Sequence, residues 1–172
     1  TVIRLKDHSP GFEASSGKAV ISFTRGNFSN ISMQNTCENL TIEVGEGNPG
    51  AVGLEFFCNN TGAVRNVSIR STGEGRKGFA GLAIRTYNSS CALIQHVTIE
   101  GFDFGMYFNQ HRLYTAIEHI KLRSQNVAGM MRKDHNLAVR GITSENAVPA
   151  VVVEGDQSTL ALLDCHLTGG DP

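Results

Sequence analysis

Two short strand motifs recur along this chain, and their shared interval decides what it can fold into. The first reads apolar–x–(Asn/His/Gly/Asp)–apolar–x–apolar. It occurs as Cys37-Glu-Asn-Leu-Thr-Ile42, Val64-Arg-Asn-Val-Ser-Ile69, Ile94-Gln-His-Val-Thr-Ile99 and Ile117-Glu-His-Ile-Lys-Leu122. Weaker copies are Val139-Arg-Gly-Ile-Thr-Ser144 and Leu162-Leu-Asp-Cys-His-Leu167. The fourth positions, Leu40, Val67, Val97, Ile120, Ile142 and Cys165, are 27, 30, 23, 22 and 23 residues apart. The second motif interleaves with the first: Gly53-Leu-Glu-Phe56, Gly81-Leu-Ala-Ile84, Gly105-Met-Tyr-Phe108, Gly129-Met-Met-Arg132 and Ala150-Val-Val-Val153. Its steps are 28, 24, 24 and 21 residues, so two strand series advance at one rate.

Each repeat therefore holds two or three short strands and shows no helical period. A leucine-rich repeat has this length but needs a Leu/Asn signature that is missing, and a propeller blade needs ~40 or more residues. The fold expected is all-β, a right-handed parallel β-helix (solenoid) of about six coils, preceded by an N-terminal cap segment over residues 1–30. Ala19–Phe23 and Ile31–Met33 read as the strands of that cap. Parallel strands lie ~4.8 Å apart, so six coils stack only about 25 Å high. Leu40/Ile42, Val67/Ile69, Val97/Ile99 and Ile120/Leu122 are expected to point inward. Leu54, Leu82, Met106, Met130 and Val151 form a second inward file, and the glycines at 53, 81, 105 and 129 mark a repeated corner.

The 172 residues make one domain, 1–172, and the 40% apolar and 18% charged fractions rule out wholesale disorder. A net charge of −1 gives no basic face for nucleic acid. No apolar run reaches the ~18 residues of a membrane helix. The chain starts at Thr1 with no initiator Met and no signal-peptide core, which reads as a processed protein or a fragment. No cap is evident after Leu167, so that end is expected to meet the rest of a longer chain or a self-association partner.

Cys37, Cys58, Cys91 and Cys165 are too sparse for a disulfide scaffold and lack CxxC spacing, so no zinc site is expected. Cys58 and Cys91 end adjacent coils, which leaves a pairing between them open. Six N-x-S/T sequons start at Asn27, Asn30, Asn39, Asn59, Asn66 and Asn88. Several fall in the strand motif, where Asn serves the turn and Ser/Thr the exposed face. Gly45-Glu-Gly-Asn-Pro-Gly50 and Gly73-Glu-Gly-Arg-Lys-Gly78 both match GxGxxG. A dinucleotide loop must open a helix, whereas a strand motif follows here, so both read as one glycine-rich turn in successive coils.

The segments Gly-Glu-Gly-Asn-Pro-Gly-Ala-Val-Gly-Leu, Asn-Thr-Gly-Ala-Val-Arg-Asn-Val-Ser-Ile-Arg-Ser, Val-Thr-Ile-Glu-Gly-Phe-Asp-Phe-Gly and Ser-Glu-Asn-Ala-Val-Pro-Ala carry a likeness over about Thr1 to Gly170. On them the chain resembles bacterial proteins of the pectate-lyase superfamily, related to glycoside hydrolase family 28. The resemblance implies a parallel β-helix, secretion and longer parent proteins. The Asn-Thr-Asp, Asp-Asp, Gly-His-Gly and Arg-Ile-Lys segments of polygalacturonases are absent, as is the Arg-x-Pro-x-x-Arg segment of pectate lyases.

Three groups of residues are candidates for function. Glu43, Arg70, Glu100, Arg123 and Glu145 should form one outward file of alternating sign, with Arg70 and Arg123 able to clasp carboxylates. The plainer reading is a surface charge ladder of small energetic worth. Beside it runs Thr41, Ser68, Thr98, Lys121, Thr143 and His166, small and hydroxylic. His96 and His119 occupy the position of Asn39 and Asn66, which reads as a turn ladder. After the second series, Tyr87, His111 and His135 are spaced by 24, as are Arg85, Asn109 and Lys133, with Asp134 beside His135. Stacking would bring proton-transfer groups to one loop edge. The outward Phe57, Tyr107, Met131 and Val152 there indicate coverage by further polypeptide or a partner.

The expected function is a secreted (extracellular or periplasmic) carbohydrate-active protein, or part of one, that binds or cleaves acidic polysaccharide. His111, His135 and Asp134 are the candidate catalytic residues. Arg70, Glu100, Lys121, Arg123, Tyr87 and Lys133 are the candidate substrate contacts. If the protein is an enzyme it is a polysaccharide lyase or a glycoside hydrolase. The alternative is a non-catalytic structural or adhesive rod. No metal site or cofactor is expected, and calcium has no support. Polysaccharide is the expected partner, with no nucleic acid and no membrane span.

Overall fold

The structure, a computed structural model, describes residues 1–13, 17–23, 32–86, 91–109, 114–155 and 158–170. It is a parallel β-solenoid of about five turns, close to the six coils expected, with no α-helix among the described residues. One sheet runs β1 (Val2–Leu5), β3 (Thr36–Val44), β5 (Gly62–Ser71), β7 (Ala92–Glu100), β9 (Tyr114–Arg123), β11 (Asn136–Glu145) and β13 (Leu160–Leu163), with β14 (His166–Thr168) also on β11. The other runs β2 (Lys18–Ser22), β4 (Ala51–Glu55), β6 (Ala80–Ile84), β8 (Phe104–Asn109), β10 (Ala128–Lys133) and β12 (Val151–Glu154). Every named pair is parallel, one coil to the next.

The first thirty residues contribute β1 and β2, which pair with β3 and β4 and so begin the two sheets themselves. Ile31 lies outside the described residues; Met33 makes an isolated bridge to Asn59.

The third position of the first motif bends every long strand. Asn39, Asn66, His96 and His119 have φ of 56°, 53°, 53° and 55°, Gly141 has 70°, and Asp164, between β13 and β14, has 52°. These are left-handed conformations, which Asn, Asp, His and Gly tolerate better than branched residues do. The bend shifts side-chain parity by one. Val64 and Val67 are therefore both buried although three residues apart. Each long strand thus presents two outer faces, one before the bend and one after.

Inside, Ile42, Ile69, Ile99 and Leu122 stack in register, as do Leu54, Leu82, Met106 and Met130, all at most 1% exposed. The corner glycines are required by space. A Cβ on Gly53 would strike Ile69 Cγ2, and one on Gly81 would strike Ile99 Cγ2 and lie 2.9 Å from the Gly105 carbonyl.

The two GxGxxG segments are stacked turns: a Cβ on Gly73 would sit 2.5 Å from Glu46 Cα. Strands β4 and β6 follow them; the second holds only a three-residue 3-10 turn over Glu74–Arg76, and no α-helix opens there for a pyrophosphate. Asn48, fully buried, closes the first turn by donating to the carbonyls of Lys6, Gly45 and Glu46 at 2.9, 3.0 and 3.1 Å. No disulfide forms; Cys58 is buried and Cys91 exposed.

Candidate functional site

The face after the bend carries the charge file in the expected register, Glu43 to Arg70 to Glu100 to Arg123 to Glu145, with Arg4 added below Glu43. Arg70 donates to Glu43 through Nε at 3.0 Å and through Nη2, and Arg4 approaches the same carboxylate at 3.4 Å. Arg70's hydrogen bonds hold the Glu43 carboxyl below its ordinary pKa; burial opposes this, and the charges of Arg70 and Arg4 assist it. Glu100 receives Arg123 at 2.8 Å and Arg76 at 2.5 Å. Three of the candidate substrate contacts are therefore already engaged: Arg70 with Glu43, and Glu100 and Arg123 with each other.

The adjacent row is also in register: Thr41, Ser68, Thr98, Lys121, Thr143 and His166. Lys121 stands between Thr98 and Thr143 and takes no ion pair among the described residues. With Leu122, Arg123 and Glu145 these three line a hollow of about 310 Å³. The chemistry on offer is one uncommitted ammonium, two hydroxyls, a guanidinium partly held by Glu100, and the Glu145 carboxylate, which takes no ion pair among the described residues. That set suits an anionic group on a hydroxylated ligand.

The loop edge behaves differently. Tyr87 and His111 lie outside the described residues. Asn109, Lys133 and Glu154 do form one file, and Lys133 is exposed. His135 and Asp134, expected at an exposed edge, are buried, at 0% and 7% exposure. Asp134 takes φ = 50°, and this kink after Lys133 turns the next side chain inward. The His135 ring packs on Phe108 with centroids 5.3 Å apart, and its Nε2 is 3.0 Å from Thr115 Oγ1. Arg132, 2% exposed in the inward file, donates to the His135 carbonyl at 3.1 Å and to the Ser158 carbonyl and hydroxyl at 2.9 and 2.6 Å. These polar groups hold a turn together within the core.

The outer side of the second sheet carries a small aromatic cluster. Phe79, Phe104 and Tyr107 meet with centroids 4.9 to 5.6 Å apart and cover Val52, Ala80 and Ala83. Arg85 clasps Glu55 through two bonds of 3.0 and 2.9 Å and caps the Phe79 ring. Tyr107, Met131 and Val152 share one outward file, as expected. Phe57 does not join it: it follows β4 and is 1% exposed.

A second concavity, larger than the Lys121 hollow, is not foreshadowed by the spacing of the motifs. A groove of about 800 Å³ crosses β5, β7, β9, β11 and β13 on the face before the bend. Leu93, Ala116, Ala138 and Ala161 form its floor, one per coil and in register. The recurrence of alanine at 116, 138 and 161 was the available signal.

Comparison with known protein families, curated proteins and solved structures finds no match. No group of three or more His, Cys, Asp or Glu among the described residues is placed to hold a metal ion. No helix among them is long and apolar enough to cross a membrane.

Proposed function

We propose that this chain is a secreted, polysaccharide-binding β-solenoid of the pectate-lyase superfamily type, which holds an acidic saccharide on the face after the bend. The observation that carries this reading is Lys121. It is a cation that takes no ion pair among the described residues, on a face where Glu43, Arg70, Glu100 and Arg123 are paired, and it lies in a hollow between two threonine hydroxyls. A sugar carboxylate there would meet Lys121 while neighbouring hydroxyls met Thr98 and Thr143. His135 and Asp134 point into the protein, so the described residues favour holding a sugar acid over cleaving it.

A binding titration with oligogalacturonates tests the reading. Lys121→Ala should weaken binding roughly tenfold, the loss of one charge-assisted hydrogen bond. Equal affinity of the variant and the parent would reject it. The second reading is a structural or adhesive rod, which the closure of the charge file into ion pairs favours. It predicts no affinity for any polysaccharide.

A further inference from the structure

We infer that the groove before the bend is a second binding site, for a stretch of neutral, unbranched polysaccharide. The inference rests on the reading of the protein as polysaccharide-binding and adds a site and a ligand class to it. The groove spans five strands, so it is roughly 19 Å long and runs along the solenoid axis. Its floor offers the same small side chain at three successive rungs, Ala116, Ala138 and Ala161, all exposed. A surface that repeats in this way is matched by a ligand that repeats.

The lining selects the chemistry. Thr61, Asn136 and Thr159 supply hydrogen-bonding groups along the rim, and Tyr114, 64% exposed, supplies an aromatic wall. Arg65 is the only charged side chain among the residues that line it, and Glu38 already binds it at 2.6 Å. Among the described residues the groove therefore offers no free charge for a polyanion, in contrast to the Lys121 hollow. An extended peptide is disfavoured for another reason. Strands β5, β7, β9 and β11 are paired on both sides, and the open edge of β13 lies at the end of the groove, so a peptide lying along the groove would cross the strands rather than add to their ladder. A small floor, a polar rim and an aromatic wall suit a sugar chain, whose apolar ring faces can lie on alanine and tyrosine while its hydroxyls reach the rim.

The test is titration of the whole protein, with alanine methyls isotopically labelled, using cello- and manno-oligosaccharides of graded length. Affinity should rise with length and level off once the groove is filled, and the Ala116, Ala138 and Ala161 methyl signals should shift. Ala138→Leu fills the floor and should weaken binding at least tenfold, with an unchanged thermal midpoint. Tyr114→Ala should weaken it about fivefold. Lys121→Ala should leave neutral oligosaccharides unaffected, so failure on one face is told apart from failure on the other. The inference is overturned if neutral oligosaccharides do not move these methyls or bind Ala138→Leu as tightly as the parent. It is also overturned if an extended peptide moves the methyls and no saccharide does.

Discussion

The His119 imidazole lies flat over that of His96, with ring planes 8° apart and centroids 5.0 Å apart. The two occupy successive rungs of a ladder that starts with Asn39 and Asn66, where Asn66 Nδ2 donates to Asn39 Oδ1 at 3.2 Å. All four have left-handed backbones, so the ladder is fixed by main-chain conformation as well as by stacking. Replacing His119 by valine should cost roughly 1–2 kcal/mol, because a branched Cβ opposes that conformation. His119→Gly should change stability far less. Urea unfolding of both variants checks this, and equal losses would show that the stack rather than the backbone dominates.

The corner glycines make a separate prediction. Gly81→Ala pushes a methyl into Ile99 and should destabilise by about 1–3 kcal/mol, the usual range for overpacking. Pairing it with Ile99→Ala should recover part of the loss, as a double-mutant cycle would report. Strict additivity would mean that the nearby Gly105 carbonyl, not Ile99, sets the constraint.

Glu43 sets part of the acid sensitivity. Its carboxyl titrates below the unfolded-state value of about 4.3 because Arg70 hydrogen-bonds the charged form. Its contribution to stability is therefore complete above the unfolded value and is lost as pH falls through the lower folded value. Glu43→Gln should be less stable than the parent at neutral pH and should show a shallower decline in acid. Thermal midpoints across the acid range check this, and parallel curves for the two proteins would refute it.

The cysteines should separate by accessibility. Burial, and then the charge of Glu38, push the Cys37 thiol above its ordinary pKa, so little reactive thiolate is present near neutrality. Cys91 is exposed at the groove rim. A thiol reagent should modify Cys91 in the native protein and reach Cys37 and Cys58 only with unfolding. Peptide mapping of the modified sites reads this out, and native-state labelling of Cys37 would contradict the burial seen.

Much of the fold was legible because a solenoid writes itself into sequence as a period. The inward files at Ile42, Ile69 and Ile99 and at Leu54, Leu82 and Met106 follow from one residue type recurring at one interval. The charge file was legible for the same reason, since Glu43, Arg70, Glu100 and Arg123 keep the same offset from the motif. The reading stopped where the period alone was used to place side chains. His135 keeps the 24-residue step, yet the kink at Asp134 carries it into the core. Spacing fixes the coil to which a residue belongs, not the side of the sheet to which a local bend sends it. The groove was missed because its floor is alanine, whose only signal is an absence of bulk.

By itself, then, the sequence determined the parallel stacking, the inward files, the corner glycines and the register of the charged row. All of these are one-dimensional facts, because each coil meets only its neighbours. The tertiary structure decided which charges are spent on each other and which, like Lys121, are left over. It also decided which polar groups the bends turn inside, and where Leu93 and three alanines align into the floor of a groove. Those outcomes depend on distances across coils and on backbone sign at single residues such as Asp134, which no spacing encodes.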